Sequence, residues 1–211
     1  MNGSCCDQGP KFDGTSPGFR RALWAVIAIN ASMFVVELSA GIAADSKALQ
    51  ADALDFLGDT ATYAISLYVI GHSLLWRTRA ALFKGVTLGG LGLWVLGSTV
   101  YQVFVLKVPE AAVMGVVGFM ALVANLISVL LLLKYRDGDA NVRSVWLCSR
   151  NDAIGNIAVL LAASGIWVSG TAWPDLIVAG IMASLFLRGA VQIIRQAMGE
   201  LHHVNSHAAA E

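Results

Sequence analysis

Charge is scarce in this sequence. Asp, Glu, Lys and Arg supply 13% of its 211 residues, against about 25% in ordinary soluble domains. Beside a hydrophobic content of 57%, that shortage excludes a water-soluble globular fold. The charges sum to zero at neutral pH, so no basic excess points to a nucleic-acid partner. Cysteine is almost missing: Cys5 and Cys6 stand side by side and Cys148 stands alone. No disulfide framework is implied, and a reducing compartment fits. There is no internal repeat and no low-complexity tract.

What is abundant is long apolar sequence. A spanning helix needs about 20 mostly apolar residues, and six stretches qualify: 22–44, 48–71, 82–106, 111–133, 144–168 and 174–197. An all-α membrane protein of six transmembrane helices follows. Residues 1–19 read as a flexible cytoplasmic arm and not as a signal peptide, because the apolar run behind them is too long for a signal h-region. Residues 20–198 are then a six-helix transmembrane domain and 199–211 a short cytoplasmic tail, with His202, His203 and His207 among small residues. The tail and the Cys5–Cys6 pair could each collect metal weakly, as neither has four ligands locally.

Orientation follows from the loop cations. Lys11, Arg20 and Arg21, then Arg77, Arg79 and Lys84, then Lys134, Arg136 and Arg143, then Arg188 and Arg195 all fall on one side, with only Lys47 and Lys107 on the other. Both termini are therefore expected in the cytoplasm. Residues 72–81 mix apolar and basic positions and read as a segment lying along the cytoplasmic interface. Span three is glycine-rich, and Gly85 and Gly89 form a GxxxG spacing that permits close helix approach. It is the candidate surface for a homodimer formed through transmembrane helices, with packing inside the chain as the competing use.

Carboxylates within a membrane span are costly and mark function. Asp52, Asp55 and Asp59 in span two are spaced i, i+3, i+7, which places them on one helix stripe. In span five Cys148 and Asp152 are four apart, as are Asp55 and Asp59. Two such pairs facing each other make four ligands, the tetrahedral count, and thiolate with carboxylate suits Zn²⁺ or Cd²⁺ better than Mg²⁺, Ca²⁺ or Mn²⁺. Interhelical hydrogen bonding alone would account for a lone Ser or Asn. It does not account for four ionisable groups in paired spacing. Asn30 and Glu37 share a face of span one, and Asn156 continues the Cys148–Asp152 stripe within reach of a ligand carboxylate. With Asp52, these are the secondary or pathway candidates. Asn125 and Ser128 are expected to join helices, and Arg150 to reach the cytoplasmic interface.

Two other functions fit buried acids. An intramembrane aspartyl protease would need Tyr-Asp and Gly-x-Gly-Asp patterns, and Phe-Leu-Gly-Asp ending at Asp59 lacks the first glycine. A proton-coupled exporter of small organic cations is the nearest rival, though one central acid usually serves it. No enzyme activity and no permanent cofactor are expected.

Three stretches carry a family resemblance: Ala-Asp-Ser-Lys-Ala-Leu-Gln-Ala-Asp-Ala-Leu-Asp-Phe-Leu-Gly-Asp ending at Asp59, Cys-Ser-Arg-Asn-Asp-Ala-Ile-Gly-Asn from Cys148, and Trp-Pro-Asp ending at Asp175. They resemble the cation diffusion facilitators, from about Arg20 to Glu200. The resemblance implies efflux of a divalent metal coupled to proton entry, with Asp55, Asp59, Cys148 and Asp152 in the places of the family's paired ligands. It also implies a homodimer in a lipid bilayer, here expected in a bacterial inner membrane. Two departures stand out. Cys148 occupies a place where many members carry His, which favours a thiophilic ion. The cytoplasmic metal-binding domain usual in the family is not found in these residues, so dimerisation and regulation are expected to rest on the membrane part.

Overall fold

The computed structural model describes residues 16–68, 74–105, 107–135 and 140–208. These form six α-helices: α1 (Pro17–Ala43), α2 (Lys47–Tyr68), α3 (Leu74–Val105), α4 (Ala111–Leu133), α5 (Ala140–Ser169) and α6 (Trp173–Ala208). The fold is an all-helical membrane fold. Among the described residues five helices are long and apolar enough to span a bilayer. Helix α2 falls short of that measure, and its three aspartates are the reason. It tolerates them because protein surrounds it: α2 packs against α1, α3, α5 and α6. Among its described side chains only Ala61 and Tyr68 are exposed. The outward-facing large side chains, such as Trp24, Leu93, Phe104, Leu130 and Trp167, lie on the surrounding helices, as a lipid-facing shell requires.

Local chemistry marks the helix ends. Ser16 caps α1 by accepting a hydrogen bond from the Phe19 N–H at 3.2 Å, with Pro17 in the first turn. After α1 the chain turns through Asp45 at φ 54°, and the Ser46 hydroxyl accepts from the Leu49 N–H at 3.0 Å to start α2. Helix α5 ends at Gly170, whose φ of 63° suits a residue without a side chain.

The connections α1–α2, α3–α4 and α5–α6 meet at one end of the bundle, called here the short-loop end. The Glu110 N–H donates to the Ala44 carbonyl, and Lys107 pairs with Asp45 at 3.1 Å. Deeper in, Asp175 at the start of α6 is fully buried and takes three donors from the start of α2: the Ser46 hydroxyl at 2.6 Å, the Lys47 N–H at 2.8 Å and the Ala48 N–H at 3.0 Å. A carboxylate on one helix thus satisfies the orphan N–H groups of another and matches its positive end. Asp175→Ala would leave those donors without an acceptor, at a cost of about 2–4 kcal/mol. A clear fall in melting temperature in detergent is expected, and an unchanged melt would show that the clamp contributes nothing.

The glycine-rich stretch of α3 corrects one expectation. A Cβ on Gly85 would lie 2.8 Å from Cγ1 of Ile194, one on Gly92 would lie 3.2 Å from Phe186 and Leu187, and one on Gly89 would lie 3.4 Å from Ala190. The GxxxG face is therefore spent on α6 of the same chain, where small residues let two helices approach closely. It does not present a free dimer surface. Residues 74–81, read from sequence as an interfacial segment, are the first turns of α3 and continuous with it. Likewise the tail from 199 to 208 continues α6 as helix. At about 1.5 Å per residue, α3 and α6 exceed the ~30 Å hydrocarbon core and project past it at the end opposite the short loops.

Candidate metal site between α2 and α5

Helices α2 and α5 run antiparallel and touch. Their register is given by Tyr63, whose hydroxyl lies 3.5 Å from the Ser149 hydroxyl across the interface and also donates to Oδ2 of Asp59 on its own helix. One turn from this contact toward the short-loop end, α2 presents Asp59 and α5 presents Asp152. The next turn brings Asp55 and Asn156 to one level. Asp59 is buried, while Asp55 and Asp152 are partly buried and engaged by neighbouring groups. Cys148 lies on α5 beside Ser149, and its side chain falls outside the described set. Among the described residues no three His, Cys, Asp or Glu side chains gather tightly enough to hold one ion. The acids stand instead as a ladder of levels along α2 and α5.

Tyr63 and Ser149 were not singled out from the sequence. Tyr63 is one turn from Asp59 on the buried side of α2, and Ser149 adjoins Cys148. Spacing from the acids was the only available signal, and it gives no reason to prefer these positions over their neighbours. The tyrosine orients the Asp59 carboxylate and ties α2 to α5 at the same time.

The secondary candidates divide. Asn30 and Glu37 share the buried face of α1 with Met33 and Gly41. Asp52 is not an interfacial residue: it is 1% exposed and lies against Glu37, which is 0% exposed, with Asp55 acting on both. The carboxylate stripe of α2 therefore turns toward α1 at its upper end and toward α5 at its lower. Asn156 does not bond to a ligand carboxylate. Its amide oxygen and nitrogen are both buried without a partner, because side chains one turn apart on a single helix stand about 5–6 Å apart at Cβ and Asp and Asn are too short to close that gap. Ser128 does not join helices either: its hydroxyl donates to the Ala124 carbonyl of its own helix at 3.0 Å. Asn125 is buried on α4 with its amide oxygen unpartnered. The Arg150 side chain lies outside the described residues.

Asn30, Asn125 and Asn156 lie at similar depth, roughly 20 Å from the short-loop ends of α1, α4 and α5. Helix α4 packs on both α1 and α5. The acids of α2 thus belong to a bundle whose buried middle carries amides on α1, α4 and α5.

The family model of the cation efflux transmembrane domain matches residues 23–202. The chain is similar to the metal cation efflux system protein CzcD of Cupriavidus metallidurans, with 29% identity over 174 residues covering 75% of this chain and 54% of that protein. It is similar also to the zinc transporter ZitB of Escherichia coli, with 27% identity over 195 residues covering 86% of this chain and 62% of that protein. The chain thus spans between about half and three-fifths of the length of these relatives. The match runs through all six helices and includes both α2 and α5 with their paired ionisable residues, and the chain belongs to the cation efflux family, the cation diffusion facilitators.

Proposed function

We propose that this protein exports a divalent transition metal, Zn²⁺ or Cd²⁺, from the cytoplasm across a bacterial inner membrane in exchange for protons, and that Asp55, Asp59, Cys148 and Asp152 hold the ion between α2 and α5. The observation that carries the reading is the Tyr63–Ser149 contact, which brings Asp59 and Asp152 to one level on facing helices. Family membership supports cation efflux, and the zinc transporter among its relatives supports Zn²⁺ as cargo. Helices whose ligands stand on successive levels close around an ion by a small relative movement of α2 and α5. The α2–α5 interface is light beside the packing of α2 on α1 and of α5 on α4, which suits a site opened first to one side and then to the other.

Coupling follows from ligand chemistry. Carboxylate and thiolate bind metal only when deprotonated, so protons and metal compete for the same atoms and each expels the other. Metal loads from the cytoplasm, where the termini are placed by the basic loops, and is displaced by protons on the short-loop side. The working unit is taken to be a homodimer in the bilayer. With Gly85 and Gly89 spent on α6, its surface is drawn from the outward faces, where Gly90 and Gly97 have open space around them.

The ligand role of Cys148 gives the decisive experiment. Cys148→His should preserve Zn²⁺ transport and reduce the preference for Cd²⁺, since imidazole suits Zn²⁺ and thiolate the softer ion. Cys148→Asp should raise the relative rate for Mn²⁺, since an all-carboxylate set suits harder ions. Initial rates for the three metals in vesicles, with small organic cations as controls, decide between metal and organic cargo. An unchanged ranking in both variants would remove Cys148 from the site, and transport of organic cations in place of metal would overturn the reading.

A further inference from the structure

Glu37 and Asp52 are deeply buried acids that neither the α2–α5 site nor the Asp175 clamp uses. Glu37 is 0% and Asp52 1% exposed. They lie at one depth, about 8–9 Å from the short-loop ends of α1 and α2 at 1.5 Å per residue, and their carboxyls adjoin. Beyond this mutual contact neither oxygen of Glu37 finds a partner, and neither does Oδ2 of Asp52. No basic side chain pairs with either among the described residues. Buried acids are ordinarily paired or bound to metal, because a desolvated carboxyl without a partner is strongly destabilising. Holding α1 to α2 does not require them. The Gln50 side-chain amide already donates to the Gly41 carbonyl at 3.0 Å across that interface.

We propose that Glu37 and Asp52 form a second cation subsite, between α1 and α2 on the short-loop side of the α2–α5 site, which receives the transported divalent ion as it leaves. The proposal rests on the metal-efflux reading above. Two carboxylates neutralise a doubly charged ion and offer four oxygens, the remaining positions being open to water. Having no thiolate, the subsite holds Zn²⁺ less tightly than a set containing Cys148. A step that binds enough to admit the ion and loosely enough to release it is what conduction requires. The route is marked by the stripe itself: Asp59 faces α5, Asp55 lies one turn on and acts on both Glu37 and Asp52, and the pair stands one turn nearer the short-loop end.

The test uses the full chain in lipid nanodiscs and counts bound Zn²⁺ by equilibrium dialysis. Asp59→Asn with Asp152→Asn disables the α2–α5 site. In that background we expect one Zn²⁺ per chain to remain, and Glu37→Gln or Asp52→Asn to weaken it by about tenfold or more, since even an outer-shell partner of a metal is worth that much. Two near-isosteric variants on different helices guard against a folding defect in either, and gel filtration confirms that each is folded. A background protein that binds no Zn²⁺, while the unmodified chain binds one, overturns the subsite and leaves the α2–α5 reading standing. Residual binding untouched by both Glu37→Gln and Asp52→Asn also overturns it. Full binding at two sites in the Asp59→Asn, Asp152→Asn background would instead overturn the α2–α5 reading.

Discussion

Replacing Asp152 with asparagine is expected to abolish metal transport while leaving expression and helix packing intact. An amide keeps the shape of the carboxyl but removes the negative charge, the anionic ligand atom and the exchangeable proton, and these are what both metal binding and coupling need. Asp152 lies level with Asp59, one turn from the Tyr63–Ser149 contact, and is partly buried. Its loss therefore removes one of the two facing acids of that level while the Tyr63 bridge remains. Partial burial also makes the substitution tolerable to the fold, since an amide left near water costs little. Zn²⁺ uptake into everted vesicles should fall to the level of empty vesicles, with the variant present in the membrane at normal amount and unchanged in melting temperature. Uptake at the unmodified rate would remove Asp152 from the site.

Dissipating the inward proton gradient should have a comparably large effect: metal export should collapse although the protein is untouched. The membrane potential favours inward movement of positive charge by about 2.3 kcal/mol per charge per 100 mV. A divalent ion leaving alone works against twice that. Proton entry offsets the charge, and it also resets the ligands, because protons arriving from the short-loop side displace the ion from carboxylates that must be free to bind it. Reconstituted vesicles with a fixed metal gradient, with and without an uncoupler, measure this directly. Metal flux that continues unchanged after the gradient is lost would make the protein a facilitated-diffusion path and sink the antiport reading.

Six helices were legible in the sequence because the bilayer makes spanning structure a local matter. Each helix satisfies its own backbone hydrogen bonds, so an apolar run of sufficient length is enough to declare it. The three aspartates of α2 were legible as one stripe for the same reason: periodicity along a helix depends on nothing outside it. Even so, the described residues of α2 are not apolar enough to span by composition. Its paired acids announced a function, and the other helices supply the shelter that lets them be there.

Which neighbour each face meets was decided only by the tertiary structure. Glu37 and Asp52 are both visible as buried acids in the sequence, yet nothing there puts them against each other. The GxxxG of α3 reads the same whether it serves a partner or α6, and the side chains of Ile194 and Ala190 decide for α6. Asp175 clamps the start of α2 from 129 residues away in the chain, and Tyr63 reaches Ser149 from 86 away. The physical reason is common to all of these. Among helices already in lipid there is no hydrophobic force to pull apolar faces together, so pairing is set by shape, small residues and a few polar contacts. Those depend on side chains far apart in sequence, and the pattern along any one helix does not contain them.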